Sequence, residues 1–135
     1  MSNTIKLKIV TPEKVLIEKP IEALYSRAKD GEFGILPGHI SYMTPLEIGV
    51  TRFVVDGKTE FVSTIGGLLE VKDNEIIILT NAAELGEQID ITRARAAKER
   101  AEARLGTAKG DVDAYRAQIA LVKAITRIKA ASKSI

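Results

Sequence analysis

An all-β sandwich followed by an α-helical antiparallel hairpin, together a two-domain α+β chain, is the fold this sequence predicts, and three observations carry that expectation. Over residues 4–80, short aliphatic and β-branched runs alternate with polar residues at period two and are separated by turn formers. After Gln88 the apolar residues recur every three or four positions, the spacing of one helix face. Gly106 and Gly110 interrupt that helical stretch, and so short a connection returns the chain antiparallel. A chain of 135 residues holds two small modules of this kind, with the sandwich over residues 1–86 and the hairpin over residues 87–135.

The strands follow in order. Ile5, Leu7 and Ile9 alternate with Lys6 and Lys8, a half-buried strand that Thr11-Pro12 ends. Extended segments are expected at 15–17, 21–28, 33–36 and 48–55, punctuated by Asp30-Gly31, Pro37-Gly38 and Pro45. Pro45 has no N–H to give a ladder, so it predicts an edge or a bend. Asp56-Gly57 is the strongest hairpin signal, because this pair accepts the positive φ angles of a type I′ turn. The return strand runs over 60–65. Gly66-Gly67 then separates it from a strand at 68–71, Lys72-Asp73-Asn74 turns the chain into 75–80, and the β module closes near Ala82.

Ile91, Ala94, Ala97, Ala101, Leu105 and Ala108 form the stripe of the first helix, with Asp90 placed to cap it. Asp111 is placed to cap a second helix over about residues 112–132. Alanine favours each helix locally, yet buries little apolar area, so the hairpin is expected to be sturdy within its helices and weakly docked, with a hinge near residues 107–111.

Composition narrows the function. The absence of cysteine excludes disulfides, Cys-ligated zinc and thiol catalysis, and a single histidine excludes a His-rich metal site. No apolar run approaches the roughly 18 residues of a membrane span, and no secretory signal opens the chain, so a cytoplasmic location is expected, with membrane contact only through a partner. The net charge of +2 divides into about −3 for residues 1–85 and about +5 beyond, which places the basic character in the tail. Nucleic-acid binding is disfavoured, because aromatic residues make up only 4% of the chain and form no stacking platform.

No Gly-x-Ser-x-Gly, His-Glu-x-x-His or Gly-x-x-x-x-Gly-Lys signature is present, so independent catalysis is not expected. His39, Ser41 and Glu32 superficially suggest a base and a nucleophile, but Ser41 lacks elbow geometry and a loop histidine in a contact role is the better reading. Arg93 and Arg100 share one helix face, as do Lys123 and Arg127, and a polyphosphate between the two faces would turn repulsion into charge-assisted hydrogen bonds. The alternative is solvated charge in helix pairs such as Arg95 with Glu99 and Lys98 with Glu102. Asp90 is explained by capping alone, or in a nucleotide site would serve the base, the ribose or an arginine.

The run Gly31-Glu32-Phe33-Gly34-Ile35-Leu36-Pro37-Gly38-His39 closely resembles the signature loop of the epsilon subunits of rotary F-type ATP synthases. Ile89-Asp90-Ile91-Thr92-Arg93-Ala94 and Gly110-Asp111-Val112-Asp113 follow in matching order, so the resemblance spans essentially the whole chain. It implies a non-catalytic rotor subunit of the proton-translocating enzyme, on the cytoplasmic face of the bacterial plasma membrane. Its sandwich would grip the gamma subunit and rest on the c-ring, with Glu32 and His39 as contact residues. Its helical tail would either fold against the sandwich or extend toward the alpha and beta subunits and restrain ATP hydrolysis. Some members bind ATP, with or without Mg, in the folded tail. Carried over, that role falls to Glu84, Ile89, Asp90, Arg93, Ala94, Arg100, Lys123 and Arg127, where Lys123 replaces an arginine and offers a point charge instead of a planar fork. A free-standing nucleotide- or partner-binding adaptor is the alternative, and co-purification with gamma separates the two.

Overall fold

The computed structural model describes residues 3–134. Eight strands come first: β1 (Ile5–Val10), β2 (Val15–Ile21), β3 (Ala23–Ala28), β4 (Gly31–Ile35), β5 (Tyr42–Val55), β6 (Lys58–Lys72), β7 (Glu75–Leu79) and β8 (Ala83–Leu85). A single 3-10 turn, Gly86–Gln88, leads into α1 (Ile91–Gly106) and α2 (Asp111–Lys133). The strand order is β2-β1-β7-β6-β5-β3-β4, with β8 added along β6. Among the described residues only β1 with β7 pairs parallel.

The β5–β6 hairpin is the backbone of the sandwich. Its ladder runs in unbroken register from Tyr42↔Val71 to Val55↔Lys58, yet the buried residues change parity along it. Thr51, Phe53 and Val62 face inward near the turn, whereas Leu46, Leu69 and Val71 do so at the far end. Side chains alternate strictly along a strand, so this switch requires the ribbon to bend from one layer into the other. Gly66 and Gly67, at φ 70° and 128°, sit where the bend occurs. They therefore bend one long strand instead of separating two, because their positive φ coils the ribbon while the register with β5 stays the same on both sides. Among the described residues Pro45 is paired with Leu68 only, on a stretch of β5 without a second neighbour, the edge position a missing N–H demands.

Asp56-Gly57 takes the expected positive φ angles, 51° and 75°, and the turn at Asp73 and Asn74 has positive φ as well, 52° and 57°. The core joins Ile5, Leu7, Ile9, Leu24, Phe53, Leu69, Ile76 and Ile78 from across both layers. The module does not end at Ala82, since β8 adds to β6 through Thr64↔Ala83 to Val62↔Leu85.

In the tail, α2 lies between α1 and the sandwich, touching β5, β6, β8 and the 3-10 turn. The seam is built of alanines: Ala94 and Ala101 on α1, and Ala117, Ala124 and Ala131 at heptad spacing on α2, are all buried. Asp90 caps α1 as expected, its Oδ1 accepting the Arg93 N–H at 3.0 Å. Asp111 does not cap α2. Gly110, at φ 89°, occupies that position, and Asp111 and Asp113 fall within the first turn, where their charge favours the positive helix end.

Candidate functional site

The loop between β3 and β5 is held from several sides. Gly34 passes so close to Tyr25 that a Cβ would meet the ring at 2.9 Å, and the guanidinium carbon of Arg52 lies 4.5 Å from the centroid of the same ring. Arg52 in turn clasps Glu32 with both nitrogens, at 3.1 and 3.2 Å. Farther along, the Gly38 N–H donates to Asn74 Oδ1 at 2.8 Å while Asn74 Nδ2 donates to the Thr4 carbonyl, which ties the loop to the β6–β7 turn. His39 Nδ1 lies 2.7 Å from the Ile40 carbonyl, an acceptor only, so this nitrogen carries the proton. The rings of His39 and Phe33 each stand 5.9 Å from that of Tyr42.

This disposes of the catalytic look of the loop. Among the described residues no hydrogen bond joins His39 to Ser41 or to Glu32, so no nucleophile is being activated. Glu32 keeps 52% of its side chain in solvent despite the ion pair, and so retains a surface for a partner.

In the tail the candidates meet in part. Arg127 Nε lies 3.2 Å from Glu84 Oε1, which bridges α2 to β8. Asp90 reaches Arg93 through the backbone N–H, while the Arg93 side chain remains exposed with Arg100. Ala94 is buried in the helix seam, and Ile89 is half-buried, its N–H donating to the Gly86 carbonyl. Among the described residues Arg93, Arg100 and Lys123 have no ion-pair partner, and neither Arg95–Glu99 nor Lys98–Glu102 closes to ion-pair distance. Arg93 and Arg100 thus stand as exposed charges, without those two helix pairs. Nor, among the described residues, is there any cluster of three His, Asp or Glu fit to hold a metal ion.

One feature of the sandwich escaped the sequence reading. The cross-strand neighbours Pro45↔Leu68, Leu68↔Leu79, Leu79↔Val10 and Val10↔Val15 form an apolar ladder across five strands on the outer face. Leu79 is 50% exposed and Val15 46%, and Met43, two residues from Pro45 on the same face, is 57% exposed. The signal was present as apolar residues at outward positions of period-two strands, but it becomes a patch only once register is known.

Comparison with known proteins gives one answer over residues 4–132. Residues 4–86 match the family described as ATP synthase, Delta/Epsilon chain, beta-sandwich domain, and residues 87–132 match ATP synthase, Delta/Epsilon chain, long alpha-helix domain. The chain is 47% identical over 131 residues to the ATP synthase epsilon chain of Desulforamulus reducens, covering 97% of this chain and 99% of the relative. It is 48% identical over 128 residues to that of Bacillus licheniformis, with 95% and 98% covered. A chain in the structure of the Euglena gracilis mitochondrial ATP synthase, OSCP/F1/c-ring in rotational state 1, is similar with a TM-score of 0.83 at 25% identity, over 98% of this chain and 83% of that one. A chain in the central stalk/c-ring structure of the Tetrahymena thermophila mitochondrial ATP synthase shares the fold, with a TM-score of 0.62 at 15% identity over 93% and 95%.

Proposed function

This chain belongs to the ATP synthase delta/epsilon family as an epsilon chain, a non-catalytic subunit, and from that premise we propose how its two modules divide the work. The sandwich is the grip. The observation that carries this is the exposed apolar ladder from Pro45 through Leu68, Leu79 and Val10 to Val15, because a contiguous apolar face on a well-packed domain is a surface built for a partner. Its occupant is the gamma subunit, with the signature loop, including Glu32 and His39, turned toward gamma and the c-ring. A stiff core behind that face suits torque transmission, since close packing passes strain on instead of absorbing it.

The tail is the regulator. The alanine seam joins the two helices loosely to each other and the half-exposed Glu84–Arg127 bridge is a weak tie to the sandwich, so that the helices can leave the sandwich and extend along the shaft toward the alpha and beta subunits, where they restrain ATP hydrolysis. ATP is the ligand of the compact tail. Arg93, Arg100, Lys123 and Arg127 would meet its phosphates, with Glu84 and Asp90 ordering the arginines or holding the base and ribose. Such a ligand shifts the balance only by its preference for the compact state. The subunit then sits on the cytoplasmic face of the bacterial plasma membrane, held there by the complex. Among the described residues no helix is long and apolar enough to cross a membrane.

Two measurements test this. Leu79→Glu is expected to abolish co-purification with gamma while leaving the isolated chain folded, and unchanged co-purification would remove the apolar ladder from the account. Calorimetric titration with ATP and MgATP is expected to give saturable heat that Arg93→Ala and Arg127→Ala diminish. Absence of heat in the wild type would leave the stalk role without a nucleotide.

A further inference from the structure

A second charged site lies on the other side of α2 from Arg127. Between α2 and the sandwich is a cleft of about 430 Å³ in which Arg27 of β3, Arg52 of β5 and Lys129 and Lys133 of α2 converge, with Glu32 the single carboxylate in its lining. Glu32 is already committed to Arg52. Among the described residues Arg27, Lys129 and Lys133 have no carboxylate at ion-pair distance, so the cleft holds three uncompensated cations. Lys133 Nζ stands 5.9 Å over the Phe61 ring, which forms part of an apolar floor.

Helix geometry separates this cleft from the nucleotide candidates. Thr126, Lys129 and Lys133 lie on one stripe of α2, spaced by three and four residues, whereas Lys123 and Arg127 lie on another roughly a third of a turn away. The side facing α1 is a third direction, marked by the buried Ala117, Ala124 and Ala131.

We propose that this cleft binds a small phosphate-bearing polyanion that bridges Arg27 of the sandwich to Lys129 and Lys133 of α2. Three cations without counter-charge call for a ligand of two or three negative charges in a small volume. Arg27 supplies a planar fork and the lysines mobile point charges, a combination suited to phosphate oxygens. The volume lies within the range of small-molecule pockets, and the apolar floor leaves room for a non-phosphate group. Because both walls are needed, the ligand binds only when α2 is docked and so favours the docked tail. This site is independent of the nucleotide reading of Arg93 and Arg127.

The test is titration of the full chain with pyrophosphate, with ADP and with citrate, followed by calorimetry and by hydrogen exchange of the α2 amides. Saturable pyrophosphate binding is expected, with slower α2 exchange in the bound state. Lys129→Gln and Lys133→Gln, both at exposed positions, should each weaken it roughly tenfold, while Lys14→Gln and Lys109→Gln, exposed cations outside the cleft and outside the nucleotide candidates, leave it unchanged. Equal affinity for ADP would mean that phosphates alone are read, and tighter ADP binding would mean that the apolar floor takes the base; either supports the site. Non-saturating binding, equal affinity for citrate, or uniform weakening by every cation removed would overturn it. So would pyrophosphate binding lost only with Arg127→Gln.

Discussion

Gly86→Ala is expected to loosen the tail without touching the sandwich core. Gly86 is buried in the 3-10 turn, and a Cβ placed on it would run into Ser134 Oγ and the Ala130 carbonyl oxygen of α2. The serine side chain could rotate away, although it would give up its 2.8 Å hydrogen bond to the same Ala130 carbonyl. The carbonyl is backbone in the last turns of a helix, so it yields only if α2 moves as a body. Gly86 does not adopt a positive φ, which leaves space as the sole effect of the new methyl. Overpacking of this kind costs about 1–3 kcal/mol.

What opposes it is modest. Ala130 and Thr126 are the buried α2 residues nearest this face, a buried methyl is worth about 0.8 kcal/mol, and a half-exposed bridge such as Glu84–Arg127 adds about 1 kcal/mol at most. A strain of that size therefore raises the undocked population roughly five- to a hundredfold, at about 1.4 kcal/mol per decade. Hydrogen exchange resolved by residue reads this directly: α2 amides should lose protection while those of β1, β6 and β7 keep theirs. Unchanged α2 protection would show that α2 slides to accommodate the methyl, and that the contact at Gly86 does not hold the tail.

Three further outcomes follow from single contacts. Asp90→Ala removes the cap that accepts the Arg93 N–H and should cost about 1 kcal/mol of α1 stability, whereas Asp90→Asn should restore most of it, as measured by helical circular dichroism on heating. Among the described residues Ser63 Oγ is buried with no hydrogen-bond partner, so Ser63→Ala should stabilise the chain by about 1 kcal/mol in urea denaturation. The Glu18 carboxyl is held below its ordinary value by a hydrogen bond from Lys6 and by that residue's charge, with Lys8 adding to it, and the same contact raises the Lys6 amine. The folded value being the lower one, the stability from this pair is present at neutral pH and is lost as acid carries the pH down through it. Lys6→Gln should return the Glu18 titration, followed by NMR, toward its ordinary value.

Much of the fold was legible because local chemistry determined it. Asp56-Gly57 and Asp73-Asn74 can take positive φ at little cost, so the turns were readable before the strands were paired. The stripe through Ala94 and Ala101 and the cap at Asp90 gave α1 for the same reason. The misreadings arose where the deciding partner is distant in sequence. Gly66-Gly67 looks like a break, but the pairing with β5 resumes in the same register on either side of Gly66, from Leu46↔Gly67 to Ile48↔Ile65. β8 has only three residues and exists because β6 offers an edge to them. Asp111 has the side chain of a cap, yet the helix already begins at Asp111, with Gly110 before it at a positive φ that suits glycine. In the tail, the pairing of Glu84 with Arg127 joins residues 43 apart in sequence, which periodicity cannot convey.

The two modules are held together by interactions of different strength, and that difference is what permits one chain to be both a fixed part and a moving one. Each fully buried Ile or Leu of the sandwich contributes about 1.5–3 kcal/mol, and these residues come from strands in both layers, so no strand can leave alone. The hairpin buries alanines, and its outer helix α1 packs mainly on α2, so detaching α2 from the sandwich frees both helices at once. The weak boundary is consequently the face between α2 and β5, β6 and the 3-10 turn. Gly86 lies on that face, the uncompensated cations of Arg27, Lys129 and Lys133 flank it, and the Glu84–Arg127 bridge crosses its β8 side. An anion bound between those cations and a methyl inserted at Gly86 should therefore act on the same equilibrium in opposite directions, one closing the boundary and the other opening it.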